Sequence, residues 1–342
     1  MQRRGLTVLV GAIIVALLAI GIFRAPVDYV TLGPGPTVNT LGTSDGHPVI
    51  DISGAPISTS AGQLRLVTVN VAPEPNLLGA ISGWLNGEEA VVPRELIYPP
   101  DESEQQVNDR NAQDFKDSQT SAETSALRKL GYPVHVMVVE TTDGMPAHGK
   151  LAKDDEITSV DGQPVTSTQK LQELIRAKPA GTTLTIGYTR SGQAATVPIT
   201  TAKASDGSPR IGIQAENKQP HPSFTVKIDL DKIGGPSAGL MFSLGIIDKL
   251  DPTDLTGGKI VAGTGTIDDE GRVGPIGGIP QKLIAARDAK ATIFLTPGDN
   301  CAEAVANAQP GLKLVKVTSL DDALAALAAL REGNEPTLCS AT

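Results

Sequence analysis

The sequence predicts an α/β protein preceded by an apolar N-terminal segment. Three observations support this fold class. Beyond residue 224 the pattern alternates between strands and helices, which is typical of α/β domains. Residues 133–200 read as a compact group of short strands around one helix, separated by turn residues. Residues 27–99 read as short strands and turns that lead into a long helical stretch.

Length and composition limit the classes of function. A chain of 342 residues is long enough for two domains, each with its own core. The net charge of −9 argues against sequence-independent binding to nucleic acid or anionic lipid. Aromatic residues make up only 3% of the chain, so recognition of stacked bases is not expected. We therefore predict no nucleic-acid partner.

The N-terminus is predicted to be a membrane element. Residues 6–23 are uncharged and mostly apolar, lie between flanking arginines, and would span about 27 Å as a helix. Two arginines before this run favour a cytoplasmic N-terminus. Residues 1–25 are therefore expected to form a transmembrane signal-anchor in the cell membrane, with an extracytoplasmic body. A signal peptide cleaved near 19–21 is the alternative.

Between the anchor and residue 131 the pattern predicts strands, turns and one long helix. Residues 28–32 run into a Gly-Pro-Gly-Pro turn, and residues 64–71 alternate apolar and polar side chains as a half-buried strand does. Residues 104–130 contain neither Gly nor Pro. Basic residues at their end, followed by Gly131, are typical of a helix C-terminus.

The same rules predict the elements of the rest of the chain. The middle part is predicted to contain strands at 134–139, 155–162, 183–189 and 195–199 and a helix at 168–177. The C-terminal part is predicted to contain strands at 224–230, 260–262, 292–296 and 312–317 and helices at 237–250, 282–290 and 320–331. Ser319 is expected to cap the last of these helices.

A glycine-rich turn carries the candidate nucleophile, Ser237. Gly235, Pro236 and Gly239 surround it in a Gly-x-Ser-x-Gly string. All four histidines precede Ser237, so the order serine, acid, histidine that usually accompanies this string is impossible. Backbone N–H groups at the start of the predicted helix can stabilise an oxyanion. The alternative is that Ser237 is simply a favourable residue at a helix N-terminus.

Lys282 is the best remaining partner for Ser237, because a serine needs a base to take its proton. Its pKa must fall from about 10.4 to about 7 or 8 for the neutral amine to act as a base. The dipole at the start of a helix contributes only about 0.3–2 kcal/mol. Burial among Ile279, Leu283 and Ile284 must supply the rest. A solvated surface lysine is the alternative.

Other patterns predict no cofactor, metal or ATP site. The sequence has neither a phosphate-binding loop nor a His-Glu-x-x-His motif. The acidic run 268–270 precedes Gly271 and is interpreted as a solvated turn rather than a metal site. Cys301 and Cys339 belong to no metal-spaced cluster. An oxidising compartment permits a disulfide between them, worth about 4 kcal/mol, and two unpaired buried thiols are the alternative.

The catalytic motifs resemble those of the Lon-type serine peptidases, which use a Ser-Lys dyad. The matching blocks are Gly-Pro-Ser-Ala-Gly at 235–239, Thr-Gly-Thr-Ile at 264–267 and Gly-Arg-Val-Gly-Pro-Ile-Gly-Gly-Ile at 271–279. The resemblance implies that Ser237 is the nucleophile, Lys282 the general base, and Thr264 the hydroxyl that holds the lysine amine. Thr266 departs from the family, which commonly carries Glu there, so any role of that carboxylate does not carry over.

Residues 133–200 resemble a PDZ domain of the bacterial protease type. The matching blocks lie at 145–147, 149–151, 155–157 and 160–162. Such domains usually carry Gly where this chain has Asp154. The resemblance implies a peptide-binding segment near Tyr132, Pro133, Val134 and His135, where a substrate strand would add by β-augmentation.

Together the resemblances imply a PDZ domain inserted into one discontinuous Lon-type protease domain. The protease domain would comprise 27–131 and 206–335, the PDZ domain 132–205, and the tail 336–342. The chain then resembles the membrane-anchored, PDZ-bearing Lon-like proteases of Gram-positive bacteria, which lack the ATPase. The resemblance implies an extracytoplasmic, ATP-independent serine endopeptidase that acts on polypeptides as a homo-oligomeric ring such as a hexamer.

Two alternative functions belong to other classes. One is a non-catalytic, membrane-anchored PDZ scaffold on an inactive protease fold, although intact Ser237, Lys282 and Thr264 argue against it. The other is a signal peptidase-like Ser-Lys enzyme that cuts membrane-bound precursors. Cleavage of unfolded casein would distinguish a peptidase from the non-catalytic scaffold. The positions of the cleaved bonds in membrane-bound precursors would distinguish the signal peptidase-like enzyme from a Lon-type peptidase.

Overall fold

A computed structural model of the chain describes residues 2–73, 75–218, 224–230 and 233–341. Met1 and Thr342, at the outer ends of the predicted anchor and tail, lie outside the described residues. Two main sheets make up the fold in the described residues, the larger packed against several helices and the smaller against one, and each has a hydrophobic core of its own. The predicted α/β class is confirmed.

Among the described residues, three α-helices and six strands precede the smaller sheet. Their bounds are α1 (Gln2–Arg24), β1 (Tyr29–Asn39), β2 (Thr43–Ser44), β3 (His47–Pro48), β4 (Ile50–Ser53), β5 (Gln63–Pro73), α2 (Leu77–Leu85), β6 (Ala90–Pro93) and α3 (Glu104–Lys129). The long predicted helix forms as α3, and a capping box between Ser103 and Gln106 fixes its first turn. Helix α2 was not predicted, because residues 27–99 read as strands and turns.

The predicted transmembrane helix is wrong. Helix α1 forms, but no helix in the described part of the chain is both long and apolar enough to cross a membrane. The predicted single-pass location in the cell membrane depends on that helix and is wrong with it.

Strand β1 is longer than predicted, because it continues through the Gly-Pro-Gly-Pro sequence that reads as a turn. Strand β6 pairs with β1 only from Tyr29 to Leu32. Pro34 and Pro36 therefore lie beyond the residues of β1 that pair with β6, so their missing N–H groups cost no hydrogen bond to that strand. On the other side, the register with β5 shifts between Pro34 and Thr37. The irregularity is a bulge rather than the end of the strand.

The middle part forms the smaller sheet. Its elements are β7 (His135–Thr141), β8 (Glu156–Val160), β9 (Gln163–Pro164), α4 (Thr168–Arg176), β10 (Thr183–Arg190), β11 (Gln193–Thr200), β12 (Ala202–Lys203), β13 (Pro209–Arg210) and β14 (Ile213–Lys218). The strand order is β11-β10-β8-β7-β14, with β9 beside β8. The sheet thus continues beyond residue 205, the predicted boundary. Asp154 has a φ of 67°, the region that glycine favours.

The C-terminal part alternates helices and strands as predicted. Its elements are β15 (Thr225–Ile228), α5 (Gly239–Leu250), β16 (Ile260–Gly263), β17 (Thr266–Ile267), β18 (Val273–Gly274), α6 (Ile279–Asp288), β19 (Ile293–Pro297), α7 (Cys301–Ala306), β20 (Lys313–Val317) and α8 (Leu320–Glu332). The Ser319 side chain caps α8, as expected, by accepting from the Asp322 N–H.

The larger sheet combines strands from both ends of the chain. Its order is β20-β19-β16-β5-β1-β6, so segments before and after the smaller sheet share one structure. Helices α3 and α5 pack together over this sheet, with the Phe115 and Phe242 rings edge to face. Strand β16 pairs with β5 only from Gln63 to Leu66. Beyond Leu66, the edge of β5 on that side has no strand partner among the described residues.

The C-terminal tail lies along the outer edge of β20. The Lys316 N–H donates to the Thr337 carbonyl at 2.9 Å, and the Cys339 N–H donates to the Leu314 carbonyl at 3.0 Å. A disulfide joins Cys339 to Cys301 at the start of α7, with their Cα atoms 5.0 Å apart. The tail is therefore fixed to the sheet both by backbone pairing and by a covalent bond.

Candidate active site

Ser237 lies in the turn between β15 and α5. The helix begins at Gly239 with Ala238 as its N-cap, two residues later than the sequence predicts. Ser237 therefore precedes the helix and is half-buried. The N–H groups of Ser237 and Ala238 have no hydrogen-bond acceptor among the described residues. These donors are free to bind an oxygen of a ligand at the serine.

Helix α3 holds the turn in place. The Gly235 N–H donates to the Asn111 carbonyl at 2.8 Å, and the Ser118 hydroxyl donates to the Pro236 carbonyl at 3.0 Å. Gly235 has a φ of 83°, which a residue with a side chain rarely adopts. A Cβ at Gly239 would come within 2.8 Å of an Ile267 methyl group, so only glycine fits there. Gly235 and Gly239 thus shape the turn around the serine.

Lys282 lies in the first turn of α6, with Pro280 beside it at the helix start. Its side chain is almost wholly buried, with 3% exposed. Burial lowers the pKa of Lys282 from 10.5 to about 8. Ile279 and Leu283 are fully buried neighbours, as the sequence suggests. At pH 7 about a tenth of the Lys282 amines is therefore uncharged, far more than for a lysine in water.

Thr264 connects the lysine to the serine. The Lys282 Nζ donates to Thr264 Oγ1 at 3.2 Å, and Thr264 Oγ1 donates to the Ser237 carbonyl at 3.0 Å. The Gly265 N–H also donates to that carbonyl, at 2.9 Å. Thr264 is 1% exposed, so water does not compete for these bonds. One hydroxyl therefore fixes both the amine and the backbone that carries the candidate nucleophile.

Ser237 and Lys282 both line one cleft of about 490 Å³. Residues 66–71 of β5 form much of its wall, on the edge that β16 leaves open. The alternating pattern predicts this strand but not its place beside the serine, because strand patterns carry no information on long-range pairing. The cleft therefore brings together the candidate nucleophile, the candidate base and an open strand edge.

Replacing Thr264 by valine is expected to lower kcat about 10- to 100-fold. This corresponds to losing one hydrogen bond to an ionisable group, about 1.5–3 kcal/mol. We expect the pH midpoint of kcat to fall below that of the unaltered chain, since the ammonium form loses an acceptor. Steady-state kinetics on a peptide substrate measures both effects. Thr264→Ser keeps the hydroxyl, so its kcat should remain near that of the unaltered chain. An equal loss of kcat in both variants would contradict a role for the Thr264 hydroxyl in holding the lysine amine.

The predicted PDZ peptide-binding segment lies away from a free sheet edge. The Tyr132 ring packs against Phe224, with 5.5 Å between the ring centroids. His135 begins β7, an interior strand that pairs with both β8 and β14, and its ring contacts Glu156 at 2.5 Å. Within the part of the chain that the structure describes, β7 therefore offers a peptide strand no outer edge to join. Strand β14 is the outer strand, and a groove of about 470 Å³ lies between it and α4.

The acidic turn before Gly271 was expected to be solvated, but the structure buries part of it. Asp269 is buried, with 4% exposed, and accepts a hydrogen bond from the Asn217 side chain. The sequence pattern does not predict this contact, because the two residues are far apart along the chain and an acidic run normally indicates a solvated loop. Buried acids and their partners are identified only once the two sheets are placed together.

Two protein families match parts of the chain. A PDZ domain profile matches residues 106–201, and the profile of the Lon protease (S16) C-terminal proteolytic domain matches residues 230–330. The chain therefore carries a PDZ domain and a Lon C-terminal proteolytic domain. The first match includes α3, although this helix packs against α5 in the structure.

The curated proteins that match about a quarter of this chain are Lon proteases. The chain is 41% identical over 93 residues to the Lon protease of Azospirillum brasilense and 34% identical over 93 residues to that of Heliobacterium modesticaldum. Each match covers 26% of this chain and 11% of the relative's length. The PDZ domain of the SdrC-like protein of Listeria innocua shares 33% identity, covering 25% of this chain and 99% of that structure, with a TM-score of 0.23. The chain thus matches only about a tenth of the length of these curated relatives.

Proposed function

We propose that the protein is a serine endopeptidase in which Ser237 is the nucleophile and Lys282 the general base. The observation that carries this proposal is the buried Lys282 amine, bonded to Thr264 and lining the same cleft as Ser237. A desolvated amine with a pKa of about 8 is a base that functions near neutral pH. A surface lysine would remain charged and could not accept a proton.

Two covalent steps account for peptide cleavage. Neutral Lys282 takes the Ser237 hydroxyl proton while the oxygen attacks the substrate carbonyl carbon. The N–H groups of Ser237 and Ala238 bind the resulting oxyanion. The carbon–nitrogen bond then breaks, and the leaving amine receives the proton from Lys282. Lys282 next removes a proton from water, which attacks the ester, and the Ser237 oxygen is reprotonated as the second product leaves.

Polypeptides fit the cleft as substrates because one wall is an open strand edge. Residues 67–71 of β5 offer backbone groups that an extended peptide can pair with beside Ser237. The groove between α4 and β14 offers a second edge for substrate recognition or gating by the PDZ domain. Independence from ATP and assembly into a ring are further expectations of this proposal. Light scattering during size-exclusion chromatography would measure the assembly.

Incubation with unfolded casein tests the proposed function. We expect the purified chain to release casein peptides without nucleotide, at a rate that added ATP does not change. Mass spectrometry should also detect an acyl adduct on the tryptic peptide that contains Ser237, because the mechanism passes through an ester. Ser237→Ala serves as the blank for contaminating peptidases. Absence of cleavage and of adduct under all conditions would favour the non-catalytic scaffold.

A further inference from the structure

Residues 275–278 form part of the cleft wall and lead into α6. Gly277 and Gly278 line the same cleft as the candidate nucleophile and base. A Cβ at Gly278 would come within 2.5 Å of a Val69 methyl group, so the end of this segment lies directly against β5. A peptide in the cleft therefore contacts residues 277–278 as well as the open edge of β5.

The backbone of Ile276 has few ways to satisfy its hydrogen-bonding groups. Pro280, four residues later, has no N–H and cannot donate to the Ile276 carbonyl as the next turn of a helix would. Neither the N–H nor the carbonyl of Ile276 bonds to another backbone group among the described residues. Partners for these two groups must therefore come from a side chain or from solvent.

The Asn300 side chain supplies both partners. Its Oδ1 accepts from the Ile276 N–H and its Nδ2 donates to the Ile276 carbonyl, each at 2.9 Å. Asn300 is 7% exposed, so water competes little for these bonds. One side-chain amide thus satisfies both backbone groups of Ile276, as a residue of a neighbouring antiparallel strand would.

Asn300 makes this contact instead of a local one. It lies at the N-cap of α7, where an asparagine side chain usually accepts from the first turn of its own helix. No such cap bond forms here. The helix is anchored by packing, because Ala304 is fully buried in the same core as Leu283 of α6. Asn300 therefore fixes residues 275–278 to α7 rather than capping α7.

Packing holds Lys282 in place without this contact. Ile279 and Leu283, on either side of the lysine in the sequence of α6, are fully buried. Gly277, in contrast, is exposed, and its N–H has no acceptor in the part of the chain that the structure describes. Asn300 therefore controls the position of the cleft wall more than the position of the candidate base.

We propose that Asn300 is a positioning residue for substrate binding, because its two bonds to Ile276 keep Gly277 and Gly278 in place beside β5. The inference rests on the proposed function. The ligand is the backbone of an extended polypeptide, since this part of the cleft presents backbone groups, namely the Gly277 N–H and the open edge of β5. Loss of the Asn300 amide should therefore weaken substrate binding and leave the chemical step largely unchanged.

Steady-state kinetics on the full chain tests the proposal. The substrate is a fluorogenic octapeptide copied from around a bond that the chain cleaves in casein. In Asn300→Ala we expect KM to rise about tenfold and kcat to stay within about twofold, because the lost bonds order the cleft wall and not the base. Asn300→Asp keeps the shape and the acceptor for the Ile276 N–H, so its KM should rise less. Circular dichroism shows whether both variants are folded.

Asn307→Ala is the matched control. Asn307 lies at the other end of α7, and its Nδ2 donates to the Glu303 carbonyl of the same helix at 2.9 Å. Its replacement also removes a hydrogen bond from α7 but should leave KM unchanged. A lower kcat at unchanged KM in Asn300→Ala would show that Asn300 only stabilises the fold, and would overturn the proposal. An equal rise of KM in Asn307→Ala would overturn it as well.

Amide hydrogen exchange separates this inference from the proposed function. Without substrate, the Ile276 amide should exchange faster in Asn300→Ala, while the Leu283 amide should not change. Unfolded casein should slow exchange at Gly277 in Ser237→Ala protein, and adding Asn300→Ala should remove this protection. If the chain cleaves no casein, the peptidase assignment fails while these exchange results still hold. If the chain cleaves casein but neither KM nor Ile276 exchange responds to Asn300→Ala, only the positioning role fails.

Discussion

Replacing Lys282 by methionine is expected to lower kcat/KM at least about 10³-fold, within the range for loss of a general base. Lys282→Arg should be equally inactive, because a guanidinium stays protonated at every usable pH. Ser237→Ala should lose the covalent pathway altogether. Because methionine is apolar and of similar length, the buried site should tolerate it, so circular dichroism should show a folded protein.

The pH dependence follows from the protonation state of the same amine. Below its pKa of about 8 Lys282 is an ammonium ion and cannot take the serine proton. We therefore expect kcat/KM to rise about tenfold per pH unit up to about pH 8 and then level off. Lys178→Met, an exposed position, is the control and should leave the profile unchanged. Activity that survives in Lys282→Met, or that falls with rising pH, would contradict Lys282 as the base.

Removing the disulfide is expected to cost about 4 kcal/mol in the free energy of unfolding. Cys301 and Cys339 are 38 residues apart, and a crosslink over such a loop restricts the unfolded chain by about this amount. Urea unfolding followed by circular dichroism should show a lower midpoint for the double serine variant. Dithiothreitol should lower the midpoint of the unaltered chain by a similar amount.

Dithiothreitol should leave the urea midpoint of the double serine variant unchanged. This measurement controls for other effects of the reductant. Cleavage of peptides should persist in this variant at temperatures where it remains folded, since the bond lies outside the cleft. Midpoints that agree within error between oxidised and reduced protein would show that backbone pairing alone holds the tail.

Local patterns predicted most of the regular elements. The capped and uninterrupted helix α3, the alternating strand β5 and the capped helix α8 all form. The apolar neighbours of Lys282 pointed correctly to its burial. Each of these features depends on residues close together along the chain, where spacing and capping determine the outcome.

Features that depend on distant contacts were missed. Asp269 reads as solvated because its partner Asn217 lies on another sheet. Helix α5 begins after Ser237 because the turn is held by Asn111 and Ser118 of α3 rather than by helix propensity. Tertiary contacts, rather than local preference, decide such positions.

The covered edge of β20 limits how copies of the chain can meet. At one end of the larger sheet the tail occupies the backbone groups of β20, and at the other end β6 has only four residues. An exposed, long strand would invite pairing with a neighbouring molecule and growth into fibres. Among the described residues, these two outer edges of the larger sheet offer no such template, so copies of the chain are not expected to pair strand to strand at β20 or β6.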